Sequence, residues 1–196
     1  PPSCTPFPYT SLFRSDHVGL GGFSTGGLLA LRAAAGIGQP VDGIFSICAP
    51  SRLKDVRAAI APAMHWWNDL LDKFNISKAQ VEYVESAAEN PHTNYCHIYV
   101  AGLAQLDKLM KEAMRALPRL QAPALIMHGS DDPTVDSRAA DRIYRAIGSE
   151  DKEFELVAAD RHVIVNGKGC DDLYRHIADF VGACSVQAEK EPVPAS

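Results

Sequence analysis

The sequence contains no hydrophobic run long enough to cross a membrane. Its purely apolar stretches fall far short of the roughly 20 residues that a membrane-spanning helix needs. The amino-terminal residues also lack the positive and then apolar order of a secretory signal. We therefore expect a soluble protein of the cytoplasm, without a membrane span.

An excess of positive charge is absent as well. The 196 residues include 19 Lys and Arg against 24 Asp and Glu, which gives a formal net charge of −5. No basic cluster or basic-aromatic stripe could neutralise several phosphates along a groove. This composition argues against nucleic acid as a partner.

Paired cysteine motifs are missing too. The five cysteines, at positions 4, 48, 96, 170 and 184, are odd in number and show no C-x-x-C spacing. The seven histidines include no pair at the i, i+4 spacing that would place two imidazoles on one helix face. We expect reduced thiols, no metal site and no cofactor.

The chain has enough hydrophobic residues, 46%, for one domain with a sizeable core. Its first fifteen residues, PPSCTPFPYTSLFRS, follow neither a helical nor a strand period, and residues 7–15 resemble a translated sequencing-adapter read. We expect residues 1–15 to be a non-native leader, residues 16–184 to form the domain and residues 185–196 to be a disordered tail.

Strand and helix patterns alternate along most of the domain. Predicted strands cover residues 18–23, 41–48, 124–128 and 152–158, and predicted helices end near residues 36, 147 and 184. Residues 51–118 show helical patterns only, which predicts a helical cap over a pocket. Its aromatic residues include Trp66, Trp67, Tyr83, Tyr95 and Tyr99. The fold class is therefore α/β, with a parallel sheet whose functional loops gather at the carboxyl ends of the strands.

A G-x-S-x-G motif, from Gly22 to Gly26, lies between the first predicted strand and the first predicted helix. Many such matches are accidental, but this one has the strand–turn–helix context that a nucleophile elbow requires. The flanking glycines would let neighbouring backbone pass closely, so that Ser24 is exposed on a sharp turn. The backbone N–H of Thr25 would then point at a developing oxyanion.

A serine nucleophile needs a base and an acid, which follow in the chain order Ser, Asp or Glu, His in this type of fold. Asp132 follows the strand at 124–128, and we prefer it to Asp131; ordinary turn chemistry is the alternative for both. His162 follows the strand at 152–158 and is the predicted base, although a single histidine is more often structural.

The segments GFSTGG, HGSDDPTV and RHVIV, with a helical insertion between the first two, resemble small bacterial carboxylesterases and monoacylglycerol-lipase-like members of the α/β-hydrolase superfamily. The resemblance spans about residues 17–184. It implies a Ser24, Asp132 and His162 triad that cleaves carboxylic esters through an acyl-enzyme intermediate, with a small-molecule ester as substrate.

The sequence departs from this family at two places. Nothing upstream of Ser24 matches the His-Gly segment that supplies a second oxyanion-hole N–H, so we expect an amino-terminally truncated hydrolase. Arg161 also stands where family members often carry a glycine before the base.

Two other functions remain open. A serine aminopeptidase or amidase would use the same three residues, and Glu82, Glu85 and Glu89 in the insertion could meet a substrate amine, although solvation of a helix is the simpler role for them. A non-catalytic binding module is the other alternative, because a fold alone does not secure a function.

Overall fold

The structure of the protein, a computed structural model, describes residues 18–36, 41–52, 61–73, 81–85 and 97–190. Residues 1–15, which we expect to be a leader, and the last six residues of the expected tail lie outside these ranges. Along the chain the elements are β1 (Gly19–Phe23), α1 (Thr25–Ala34), β2 (Gly43–Ile47), α2 (Ala61–Lys73), β3 (Tyr83–Glu85), β4 (His97–Tyr99), α3 (Val100–Ala116), a 3₁₀ turn (Leu117–Arg119), β5 (Ala124–Gly129), α4 (Arg138–Ala146), β6 (Lys152–Val157) and α5 (Cys170–Lys190).

The central sheet has four parallel strands in the order β1-β2-β5-β6. Every residue of β5 is buried, and β2 is nearly as buried, because helices cover both faces of these two middle strands. The parallel α/β sheet predicted from the sequence is confirmed. Its strands all end at the same edge, so the loops after β1, β2, β5 and β6 meet there.

The core forms on both faces of the sheet, because successive strand side chains point to opposite sides. Ile44 and Ile126 pack with the side chains of α1, α3 and α4 on one face. Leu125 and Met127 pack with Leu173 and Phe180 of α5 on the other. Two apolar layers therefore hold the sheet from which the loops emerge.

The insertion between β2 and β5 differs from the expectation of helices alone. Strands β3 and β4 pair in antiparallel fashion and form a second, two-stranded sheet. Helix α3 follows the predicted three-and-four spacing, with Leu103, Met110 and Ala113 buried. Because Met110 and Ala113 belong to the main core cluster, the carboxyl-terminal half of α3 is part of the domain core.

The last helix is longer than predicted. The sequence pattern predicted its end near Cys184, whereas α5 continues to Lys190. Residues 187–190 have the sequence Gln-Ala-Glu-Lys, and all four residue types are good helix formers, which favours the longer helix. Within the described ranges, no helix combines the length and the apolar character that crossing a bilayer requires.

Candidate active site

Ser24 lies on the turn that joins β1 to α1. Its backbone has φ 54° and ψ −124°, in the left-handed region that L residues rarely adopt. The Ser24 N–H donates to the Ile47 carbonyl at 2.7 Å, and the Ser24 carbonyl accepts from the Leu28 N–H at 3.2 Å. The end of β2 and the first turn of α1 therefore hold the strained turn in place.

Of the two glycines in the G-x-S-x-G motif, Gly22 is required by close backbone contacts and Gly26 is not. A Cβ on Gly22 would lie 2.4 Å from the Gly26 carbonyl carbon, whereas a Cβ on Gly26 would have nothing within 4 Å. The second close contact belongs to Gly27, where a Cβ would lie 2.6 Å from Ser46 Oγ and 2.7 Å from the Gly22 carbonyl oxygen. The expectation that Gly26 is needed for backbone passage is therefore wrong, and Gly27 has that role.

Asp132 is buried in the loop after β5. Its Oδ1 accepts hydrogen bonds from the backbone N–H groups of Thr134 and Val135 at 2.8 and 2.9 Å. Its Oδ2 lies 2.6 Å from His162 Nδ1 and 3.4 Å from His128 Nε2. Burial by itself raises the pKa of Asp132, but the hydrogen bonds from the two histidines and Val135 outweigh it and hold the pKa below its ordinary value.

His162 joins Asp132 to Ser24. Its Nδ1 faces Asp132 Oδ2, and its Nε2 lies 2.9 Å from Ser24 Oγ. The ring also packs against Phe23, with 5.0 Å between the ring centroids. In the tautomer that suits an ionised Asp132, Nδ1–H donates to the carboxylate and Nε2 accepts the Ser24 hydroxyl proton. The structure thus brings together Ser24, His162 and Asp132, the three residues chosen from the sequence; Asp131 is exposed and instead accepts from Ser130 Oγ at 2.7 Å.

Backbone hydrogen bonds connect the loop that carries Asp132 to the loop that carries His162. The Ser130 N–H donates to the Val157 carbonyl at 2.9 Å, and the Asp131 N–H donates to the Ala159 carbonyl at 3.0 Å. These bonds continue the pairing of β5 and β6 beyond the ends of the strands. The pairing of β5 with β6 therefore sets the distance between the loops that carry Asp132 and His162.

Arg161 stands where family members often carry a glycine, and its side chain bonds backbone carbonyls of the loop that carries His162. Its Nη2 donates to the Lys168 carbonyl at 2.6 Å and its Nε donates to the Val163 carbonyl at 3.3 Å. Ile164, two residues after His162, is buried in the core. Arg161 and Ile164 together fix the loop on both sides of His162.

Thr25, the predicted oxyanion-hole donor, is the first residue of α1. The first N–H groups of a helix have no acceptor inside the helix, so they are available to an anion. This position is consistent with the role that the sequence suggests, which stays a prediction.

Two further side chains, Cys48 and His128, lie beside the site, and the sequence analysis gave neither of them a role there. Cys48 directly follows β2, is fully buried and has φ 50°; with Ser24 it is one of two non-glycine residues with positive φ in the described part of the chain. His128 lies at the end of β5, is also fully buried and reaches the Val135 carbonyl with Nε2 at 3.3 Å. Their positions at carboxyl ends of parallel strands were the available signal.

A parallel sheet with crossover helices, a serine on the strand-to-helix turn, and an aspartate and a histidine on later loops define an α/β-hydrolase. The family model described as serine aminopeptidase, S33 matches residues 11–169. The chain belongs to this family. The matched range includes residues 11–15, part of the segment that we expect to be a non-native leader.

Similar proteins agree with this class. A carboxylesterase of Bacillus subtilis (strain 168) is 21% identical over 160 residues, which cover 82% of this chain and 61% of that protein. A structure from work on the metagenome-derived lipolytic enzymes LipS and LipT matches with a TM-score of 0.69 and 23% identity, over 86% of this chain and 66% of the other. The monoacylglycerol lipase of Paleococcus ferrophilus matches with a TM-score of 0.65 and 15% identity, over 86% and 68% of the two chains.

The chain spans less than two thirds of the length of the carboxylesterase and of the metagenome-derived enzyme. At these identities the solved structures establish the fold. The resemblance to α/β-hydrolases inferred from the sequence motifs is confirmed by the family match and by this fold.

Proposed function

We propose that the protein is a serine hydrolase that cleaves carboxylic esters of small molecules through an acyl-enzyme intermediate. The observation that carries this proposal is the hydrogen-bonded series from Ser24 Oγ through His162 to Asp132, with separations of 2.9 and 2.6 Å. Likeness to a carboxylesterase and to lipolytic enzymes supports an ester as the substrate.

The first half of the reaction forms the acyl-enzyme. Ser24 Oγ attacks the ester carbonyl carbon while its proton passes to His162 Nε2. The negative charge that develops on the carbonyl oxygen is stabilised by the Thr25 N–H at the amino terminus of α1. When the tetrahedral intermediate collapses, His162 gives its proton to the departing alkoxide, and an alcohol leaves.

The second half uses the same groups with water as the nucleophile. His162 Nε2 accepts a proton from water as the water attacks the acyl carbon, and it returns the proton to Ser24 Oγ as the acid leaves. Throughout, Asp132 stays ionised and stabilises the imidazolium. The lowered pKa of Asp132 supports this role, because the carboxylate keeps its charge at neutral pH.

Hydrolysis of p-nitrophenyl esters tests the proposal. The full chain should hydrolyse them and should react with a fluorophosphonate probe, and Ser24→Ala should abolish both. Ser185→Ala is the matched control, because Ser185 lies on α5, where its Oγ donates to the Val181 carbonyl at 3.0 Å. Ester hydrolysis that survives in Ser24→Ala, or a wild-type protein that the probe does not label, would contradict the proposal; the second result would favour a binding module.

A serine aminopeptidase is the second candidate, because the matched family carries that description. Glu82 is exposed beside β3 and Glu85 lies within it, while Glu89 lies outside the described residues. Aminoacyl p-nitroanilides and p-nitrophenyl esters, assayed in parallel, separate the two candidates. A larger kcat/KM for the anilides would replace the ester proposal with the peptidase.

We also propose that the protein works in the cytoplasm. The scattered cysteines without pairing motifs support a reducing compartment. Fractionation of cells that express the native gene, with antibody detection, tests this location; recovery in a secreted or membrane fraction would contradict it.

A further inference from the structure

A thiol lies directly beside the acid and base. Cys48 Sγ, a carboxylate oxygen of Asp132 and a ring nitrogen of His162 all lie within 4.8 Å of one another. They come from the loops after β2, β5 and β6, so the sheet order brings them together. The ester mechanism assigns no step to Cys48.

We propose that Cys48, Asp132 and His162 form a binding site for a thiophilic divalent cation, with Zn²⁺ as the best fit, and that occupancy switches off hydrolysis. A sulfur, a nitrogen and an oxygen are the donor atoms that Zn²⁺ takes from proteins, and three protein ligands leave a fourth position for water. Hard cations such as Mg²⁺ prefer oxygen ligands and are disfavoured by a thiolate.

The geometry requires only small movements. Zn²⁺ bonds of roughly 2.0 to 2.3 Å in a tetrahedron place ligand atoms about 3.3 to 3.6 Å apart. His162 Nδ1 and Asp132 Oδ2 are 2.6 Å apart, and the sulfur is within 4.8 Å of both side chains' ligand atoms. Side-chain shifts of about 1 Å would therefore complete the site.

Charge balance also favours a divalent ion. A thiolate and a carboxylate carry two negative charges, and a neutral imidazole carries none, so a dication makes the site neutral. Cys48 and Asp132 are buried, and a neutral cluster avoids the cost of a net charge in that environment. His162, at 9% exposed, is the most exposed of the three side chains.

Binding changes the proton positions in a defined way. The Cys48 thiol loses its proton to water as the sulfur–metal bond forms. The metal takes the place of the proton between His162 Nδ1 and Asp132, and that proton moves to Nε2. Because Nε2 then carries a hydrogen, it cannot accept the proton of Ser24, and the nucleophile is no longer activated.

Cobalt provides a readout that does not depend on activity. Co²⁺ added to the full chain should produce a thiolate-to-cobalt charge-transfer absorption, and Zn²⁺ should displace it. Cys48→Ser should weaken Co²⁺ affinity by about tenfold or more, since loss of a direct ligand costs at least as much as loss of an outer-shell partner. Cys184→Ser, on α5, is the matched control and should keep the band.

The inhibition rests on the proposed function, whereas metal binding does not. The Ser24→Ala variant separates the two. It should still give the cobalt band, because Ser24 is not a ligand. In the wild type Zn²⁺ should inhibit ester hydrolysis, and Cys48→Ser and Cys48→Ala should be at least tenfold less sensitive. Thermal unfolding shows whether Cys48→Ser and Cys48→Ala are folded, and only a folded variant is compared with the wild type. No band with the wild type, or an equal band in a folded Cys48 variant, overturns the site; a band without inhibition overturns the switch.

Discussion

At the scale of the residue, the polar contacts of the site converge on the Asp132 carboxylate. One oxygen accepts two backbone N–H groups, and the other lies near two histidine nitrogens, with His162 the closer. The backbone bonds fix the plane of the carboxylate independently of His162. Asp132 can therefore hold the imidazole in one orientation and one tautomer, which a freely rotating carboxylate could not do.

Asp132→Asn should reduce kcat by about 10⁴-fold with little change in KM, because an amide N–H facing Nδ1 favours the tautomer that carries its proton on Nε2. Steady-state kinetics with a p-nitrophenyl ester measures this effect. Asp131→Asn is the neighbouring control, since Asp131 is exposed and contacts Ser130. An Asp132→Asn enzyme within about tenfold of the wild type would show that another group orients His162.

At the scale of the element, the junction of β1 and α1 depends on contact between backbones. The Gly22 Cα faces the peptide that joins Gly26 to Gly27, and Gly27 faces Ser46 of β2. Any side chain at Gly22 must push α1 away from the sheet. Because Ser24 lies between these contacts, such a movement also displaces its hydroxyl from His162.

Gly22→Ala should destabilise the protein, whereas Gly26→Ala should not. The first should lower the free energy of unfolding by about 1 to 3 kcal/mol or more, because the added methyl overlaps backbone atoms at 2.4 to 2.6 Å. The second should be neutral or raise it by about 0.5 kcal/mol, because the space is open and Ala is the better helix former. Urea unfolding followed by circular dichroism compares them. Equal losses in both variants would mean that overlap is not the cause.

Helix α5 is connected to the edge strand β6 by ionic contacts. His176 Nε2 lies 3.0 Å from Glu153 Oε2, and its Nδ1 contacts Glu155. The hydrogen bond to Glu153 raises the pKa of His176; partial burial opposes this, and the charge of Glu155 adds to it. The protonated imidazole thus links α5 to two carboxylates on one face of β6.

The contribution of this contact to stability should depend on pH. A raised pKa in the folded state means that the stabilisation is fully present below the ordinary histidine pKa of 6.5 and is lost as pH rises through the folded value. The wild type should therefore lose its advantage in Tm over His176→Gln as pH increases from about 6 to 9. Thermal unfolding across that range measures the difference. A constant difference would assign the effect to packing rather than to charge.

At the scale of the whole molecule, the central sheet could be predicted from the sequence. The short strands β3 and β4, the end of α5 and some of the side chains that meet at the site could not. Continuous apolar runs marked β2 and β5 because both faces of these strands are buried. Strands β3 and β4, with three residues each, are too short to display a period. The predicted end of α5 came too early because the mostly polar residues after Cys184 do not continue the apolar stripe on which that prediction rested.

The candidate site was predictable only where its residues follow strands that the sequence pattern reveals. Chain order and the ends of strands pointed to Ser24, Asp132 and His162, since each lies in the turn or loop that follows a recognisable strand. Cys48 and His128 also follow or end recognisable strands, but nothing in a linear pattern says that a thiol and a second imidazole meet the same carboxylate. That information exists only when β2, β5 and β6 are side by side.

Ser24 and His162, which are hydrogen-bonded in the folded protein, lie 138 residues apart in the chain. Under the proposed mechanism, Ser24 becomes a nucleophile only after the chain has folded far enough to bring His162 to it. Because the loop that carries His162 follows β6, labelling of Ser24 by a fluorophosphonate during refolding should report the pairing of β6 with β5.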